Sequence, residues 1–202
     1  MPVLGLTGGV ATGKSTVGHL LAGKLEAVHF DADLEVGRLL REDSGVIGEV
    51  KALLGPGVFG ADGLPDRRVL RDLVFRETKS RRCLEGILHP RVRAGWNQIG
   101  GNFKVAGQWL VVEVPLLYEV GAEVDFSTVV VVACSRERQM ARLTEERGLD
   151  LRTARGIIQA QMDASEKVRR SVHTVWNDGT REALVRQVDM LAALLRRSEV
   201  PA

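Results

Sequence analysis

Gly8 and Gly13 are separated by four residues, and Lys14 and Ser15 follow directly, after the short apolar run Val3-Leu4-Gly5-Leu6-Thr7. That spacing is the one a phosphate-binding loop requires between a strand and a helix. Glycines let the backbone curl until successive N–H groups point at one anion, and a helix beginning near Lys14 adds the partial positive charge of its N-terminus. Phosphate is the expected occupant. Gly8, Gly9, Ala11, Thr12, Gly13 and Thr16 form the cradle, with Lys14 reaching the β- and γ-phosphates. Ser15 offers a hydroxyl to a magnesium ion, which keeps most of its waters and needs few protein oxygens. The plain alternative is a glycine-rich turn with an exposed lysine. It leaves the agreement of spacing, strand and helix without a cause.

Carboxylates come next. Asp31 and Asp33 follow the apolar stretch Ala27-Val28-His29-Phe30, at the C-terminal end of a second expected strand. Ligands of open α/β sheets bind at that edge. If the strand continues, alternation puts both aspartates on one side of it, with Ala32 opposite. A carboxylate there can take a proton from an attacking hydroxyl or hold magnesium through water. Capping of the helix that begins near Leu34 is the competing role for both. Glu113 closes a third apolar run that starts at Trp109 and reaches the same edge, where an aspartate is more usual in phosphate-loop enzymes.

The basic residues fall in two groups. Arg67, Arg68, Arg71, Arg81 and Arg82 precede His89-Pro90; such arginines either clamp a phosphorylated substrate through paired hydrogen bonds or coat a solvated helix face. Proline disfavours the α region for its predecessor, so His89 is expected to be extended. The second group, from Arg136 to Arg170, includes Arg142 and lies where a nucleotide kinase carries a mobile lid. Glu145 and Glu146 offer Arg142 ion pairs at helical spacing as the alternative.

These residues must be positioned by an α/β chain. Five strands are expected: near residues 3–6, 27–30, 109–117, 128–133 and 174–176, with helices from Lys14, from the cap Ser135 and from the cap Thr180. Between Leu34 and about Asn102 the apolar spacing is helical and interrupted at Gly55-Pro56-Gly57 and Gly60-Ala61-Asp62-Gly63. A chain of 202 residues can bury roughly 70% of its unfolded surface. The formal charge of +2, from 28 basic and 26 acidic residues, lacks the excess of a general nucleic-acid binder. Cys83 and Cys134 sit in apolar surroundings and are expected to be buried free thiols, with no disulfide framework or zinc site. Without a signal pattern or a run of about 18 apolar residues, the expectation is a soluble cytoplasmic protein with no membrane partner.

Several separated motifs coincide with one family. Residues 5–9 run into Gly13-Lys14-Ser15-Thr16. Asp31-Ala32-Asp33, Asp66-Arg67 with Leu70 and Phe75, and Leu88-His89-Pro90 follow. Val114-Pro115-Leu116-Leu117-Tyr118-Glu119, the turn from Gln139 to Arg142, Gln161 and Asn177-Asp178-Gly179 complete the set. In this order the sequence resembles the dephospho-CoA kinase family along essentially its whole length. The resemblance implies a P-loop NTPase fold, with a parallel five-stranded sheet flanked by helices. It implies a core near residues 1–33, 103–135 and 171–202, a helical acceptor-binding insertion near 34–102 and a helical lid near 136–170. It also implies transfer of the ATP γ-phosphoryl group to the ribose 3′-hydroxyl of dephospho-CoA, with magnesium. Asp33 is then the base, Lys14 and Arg142 neutralise charge, and Ser15 with Asp33 hold the metal. Thr7, Asp31, Asp33, Asp66, Arg67, His89 and Leu116 face the acceptor, and Asn177 lies near the purine.

Two departures stand out. Ala11 occupies a usual glycine, which is tolerable if its φ is negative. Val172 replaces a usual aspartate. Another small-metabolite or nucleoside kinase is the nearest alternative. A GTPase lacks its guanine-reading Asn-Lys-x-Asp element here, and a nucleotide-gated binding protein would show no transfer.

Overall fold

A computed structural model describes residues 2–102 and 108–198. The chain divides into two compact units, Met1–Asp31 with Phe103–Ala202, and Ala32–Asn102. The expected return to the core near residue 103 lies outside the described residues.

In the first unit, short runs of β-branched and apolar residues form β1 (Val3–Gly8), β2 (Val28–Asp31), β3 (Leu110–Glu113), β4 (Thr128–Ala133) and β5 (His173–Trp176). All four pairings are parallel, in the order β2-β3-β1-β4-β5. Strands buried on both faces need such continuous apolar runs. The phosphate loop leaves the central strand β1 and enters α1 (Lys14–Leu25). Leu4, Leu6, Val130 and Val132 pack with Val17 and Leu21 of α1 in one buried cluster.

The second unit is helical: α2 (Ala32–Glu42), α3 (Ser44–Leu54), α4 (Arg67–Arg76) and α5 (Thr78–Asn102). Its only extended pairing among the described residues is a single bridge between Phe59 and Pro65. The first unit resumes with α6 (Arg136–Ala141), α7 (Leu151–Gln159), α8 (Ala164–Arg170) and α9 (Arg181–Ser198). Leu184, Val188, Leu191 and Leu195 seat α9 on the sheet beside α1. At the sheet edge, Gln187 of α9 accepts the Trp176 N–H at 3.0 Å and donates to the Trp176 carbonyl at 2.8 Å. That contact blunts an edge that would otherwise template pairing.

Four expectations require correction. The third strand stops at Glu113. Val114 still donates to the Leu6 carbonyl at 2.9 Å, and Pro115, having no N–H, ends the ladder. The second strand ends at Asp31 and α2 begins at Ala32, so strand alternation does not relate Asp31 to Asp33. His89 is helical, inside α5 with Pro90. The proline forfeits the bond to the Gly86 carbonyl, but one face of α5 buries Ile87, Leu88, Val92 and Trp96, and that burial outweighs the local preference. Finally, the helix that starts from the cap Ser135 does not stay α-helical: α6 passes into a π-helical turn, Arg142–Glu146, closed by Arg147 N–H on the Arg142 carbonyl.

Candidate active site

The phosphate loop is held by side chains from three directions. Gly13 precedes α1 with φ 91°, and a Cβ there would stand 2.3 Å from Asn177 Nδ2. Only glycine fits that position. Asn177 Nδ2 donates to the Thr12 carbonyl at 2.8 Å, and Thr12 Oγ1 and Lys14 Nζ donate to the Gly9 carbonyl at 2.9 and 3.0 Å. At the crest, Gln161 Oε1 accepts the Val10 N–H at 2.7 Å while Gln139 Nε2 donates to the Val10 carbonyl at 2.8 Å. Ala11 departs from expectation. Its φ is +56°, because the curl of the loop requires the left-handed region even where no glycine is present.

Arg142 opens the π-helical turn and faces this loop. Its guanidinium donates to the Ala11 carbonyl at 2.9 Å and to the Asn177 carbonyl at 3.1 Å. The geometry therefore joins Arg142 to the loop rather than to Glu145 or Glu146. A π-turn shifts the side-chain phase relative to a regular helix and recurs at functional sites. Ala11, Gly13, Thr16, Arg142 and Asn177 share one cavity of about 380 Å³, also lined by Arg147 and Arg181. That volume and its polar wall suit a small ligand.

Asp178 locks these parts together. Its Oδ1 accepts the Ser135 N–H at 2.8 Å and the Ser135 hydroxyl at 3.1 Å, and its Oδ2 accepts from Trp176 Nε1 at 2.8 Å. Burial works against its charge, but these donors and Arg138 prevail and hold the carboxyl below the ordinary carboxylate range.

A second group lies beside the loop. Ser15 Oγ donates to Glu113 Oε1 at 2.9 Å, and His29 Nε2 stands 3.5 Å from Glu113 Oε2. Glu113 is 3% exposed. Burial would raise its carboxyl, but His29, Ser15 and the charge of Lys14 outweigh burial and keep it low. Its Oε2 is buried without a hydrogen-bond partner among the described residues. Ser15, whose hydroxyl Glu113 holds at the phosphate loop, is a residue that would face a hydrated magnesium ion. No cluster of three His, Cys, Asp or Glu side chains able to hold a metal occurs among the described residues.

The remaining residues are spread over both units. Asp31 lies in register with Glu113 at the C-terminal edge of the sheet, and Asp33 is in the first turn of α2. Thr7 is fully buried, its hydroxyl donating to the Pro115 carbonyl at 3.1 Å, while Leu116 is 40% exposed just beyond β3. In the helical unit, Asp66 caps α4 by accepting the N–H groups of Arg68 and Val69. Arg67 lies over Gly37, where a Cβ would come within 3.2 Å of its guanidinium, and His89 is exposed on α5. Val172 is 79% exposed. Both cysteines are free; Cys134 is buried and Cys83 half-buried.

The loop clamps Gln139 and Gln161 and the buried Lys167 carry no assigned role from sequence. The glutamines were visible only as motif members. Lys167 gives no local signal, since Glu166, Arg169 and Arg170 around it read as a solvated helix.

A parallel sheet in this order, with a glycine loop leaving its central strand and an arginine turned onto that loop, is a P-loop NTPase fold. The model of the dephospho-CoA kinase family matches residues 2–183. A dephospho-CoA kinase of Symbiobacterium thermophilum is 39% identical over 190 residues, covering 94% of this chain and 79% of the relative. One from Methylococcus capsulatus is 37% identical over 191 residues, covering 95% of each. A solved protein from Thermus thermophilus superposes with a TM-score of 0.81 at 31% identity, over 100% of this chain and 98% of its own. The chain belongs to the dephospho-CoA kinase family and is an ATP-dependent kinase of coenzyme A synthesis.

Proposed function

We propose that this chain moves the ATP γ-phosphoryl group to the ribose 3′-hydroxyl of dephospho-CoA with Asp33 as the base. The acceptor oxygen forms the new O–P bond, the bond to the β-phosphate oxygen breaks, and ADP leaves. The 3′-hydroxyl proton passes to Asp33. Such transfers demand in-line placement and charge neutralisation more than covalent participation. Lys14 and Arg142 supply fixed positive charge at the phosphoryl oxygens. The observation that carries this reading is the Arg142 fork on the Ala11 and Asn177 carbonyls, which fixes a cation at the wall of the cavity beside the phosphate loop.

Ser15 and Asp33 would hold magnesium, and Glu113 orients the Ser15 hydroxyl by accepting its hydrogen bond at 2.9 Å. When bound, that ion offsets the charge of the β- and γ-phosphate oxygens. Asn177 borders the purine. The unit Ala32–Asn102 takes the acceptor through Asp66, Arg67 and His89. Asp31, Leu116 and Thr7 are assigned to the same substrate, and Thr7 holds the Pro115 carbonyl next to Leu116 in the chain. Residues 136–170 act as the lid. We assign the reaction to the cytoplasm, as fits a kinase of coenzyme A synthesis. No helix among the described residues is long and apolar enough to cross a membrane.

The direct test is ADP release from Mg-ATP with and without dephospho-CoA, with adenosine, AMP and shikimate as comparison acceptors. The expected result is turnover with dephospho-CoA and a product heavier by one phosphate. Turnover with another acceptor and none with dephospho-CoA would refute the assignment.

A further inference from the structure

Lys167 is a charged side chain with no exposed surface at all, 0%. It projects from α8, with Nζ 2.9 Å from Glu119 Oε1 and 3.2 Å from the Pro115 carbonyl oxygen. Glu119 Oε1 also accepts the Met162 N–H at 3.0 Å. The Pro115 carbonyl is shared with Thr7 Oγ1, the residue just before the phosphate loop. Upstream, Gln161 holds the Val10 N–H at the crest of that loop. One short stretch, 161–167, therefore grips the phosphate loop at one end and the turn after β3 at the other.

A buried ion pair contributes little stability beyond an apolar side chain of the same volume. If the site needed only filling, methionine would serve. What the ammonium adds is direction, because it ties both ends of residues 115–119. Leu117 and Tyr118 are buried within that turn, and Leu116 is the member presented outward, at 40% exposure.

We propose that Lys167 is a positioning residue for the acceptor, holding Pro115 and Glu119 so that Leu116 is presented in one orientation. The inference rests on the reading that Leu116 contacts dephospho-CoA. Without Lys167, the partners left among the described residues are Thr7 for the Pro115 carbonyl and the Met162 N–H for Glu119. The turn then gains freedom that the acceptor must remove on binding, a cost that appears in KM for the acceptor.

The experiment uses the full chain and the variants Lys167→Met, Lys167→Arg, Glu119→Gln and Leu116→Ala. Steady-state kinetics, calorimetric binding of Mg-ATP and amide exchange of residues 116–120 are measured for each. For Lys167→Met the expected result is a rise of about tenfold in KM for dephospho-CoA, with kcat within about threefold and Mg-ATP affinity within about twofold. Exchange at 116–120 accelerates. Lys167→Arg keeps most of the acceptor affinity, because its guanidinium still donates to both partners. A folded Lys167→Met protein with unchanged acceptor KM, or one that loses Mg-ATP affinity in equal measure, overturns the proposal. If Lys167→Met does not fold, Glu119→Gln decides: a rise of about threefold in the same constant supports it and no rise overturns it. Leu116→Ala separates the two layers. An unchanged acceptor KM there removes the contact assigned to Leu116; a raised one beside a silent Lys167→Met removes the role of Lys167 alone.

Discussion

Replacing Arg142 by alanine separates chemistry from support at one position. The guanidinium donates to the Ala11 carbonyl at 2.9 Å and the Asn177 carbonyl at 3.1 Å. Hydrogen bonds from a charged donor contribute about 1.5–3 kcal/mol each when fully enclosed. Both acceptors lie at a cavity wall, where water takes over much of the donor's work, so the loss is about 1 kcal/mol each and about 2 kcal/mol in total. For a chain of this size that lowers Tm by about 4–8 °C and leaves the protein folded. A donor aimed at charge developing in transfer contributes about 10²–10³ in kcat, or about 2.7–4 kcal/mol. The catalytic loss therefore exceeds the loss of stability. The assay is ADP release at saturating Mg-ATP and dephospho-CoA, paired with a thermal melt. Arg142→Lys falls between, because a single ammonium cannot span both carbonyls as a planar fork does. A variant that melts as expected yet turns over at the wild-type rate would show that Arg142 only braces the loop.

Three further outcomes are expected. Asp33→Asn lowers kcat by about 10²–10⁴ with little change in Mg-ATP affinity, and near wild-type turnover removes Asp33 as the base. Gly13→Ala forces a Cβ to 2.3 Å from Asn177 Nδ2 at φ 91°. Left-handed strain of about 1–2 kcal/mol and a displaced Asn177 donor costing about 1–3 kcal/mol give about 2–5 kcal/mol in denaturant melts, with loss of nucleotide affinity. Asp178 has a depressed folded-state value, so its contribution is present above the ordinary carboxylate range and is lost as pH falls through the folded value. Asp178→Asn is accordingly destabilising at neutral pH, and the gap to wild type closes in acid; a gap that stays constant from neutral pH into acid contradicts this linkage.

The phosphate loop and the strands were legible in sequence because their causes are local. Residues 8–15 carry a spacing that only a curled backbone before a helix satisfies, and residues 128–133, β-branched until Ala133, became β4 with the same ends. Where local preference met packing, packing prevailed. Pro90 argues for an extended His89, but four large side chains of α5 are buried on one face and keep the helix intact. Ala11 was tolerable on paper only with a negative φ, yet the loop closes through Ala11 at +56°.

The cavity illustrates the same division. Arg142 and Asn177 are 35 residues apart, and each is more than 100 residues from Ala11. Nothing in their spacing states that one guanidinium spans two of their carbonyls. By itself, the sequence determined a phosphate loop, a parallel α/β core and the family, since glycine spacing, apolar runs and motif order are properties of neighbouring residues. Only the tertiary structure decided that Gln139 and Gln161 clamp Val10, that a π-turn aims Arg142, and that Lys167 is wholly buried. Those facts depend on which distant segments share a volume, and strand order and side-chain burial fix that volume once the chain has closed.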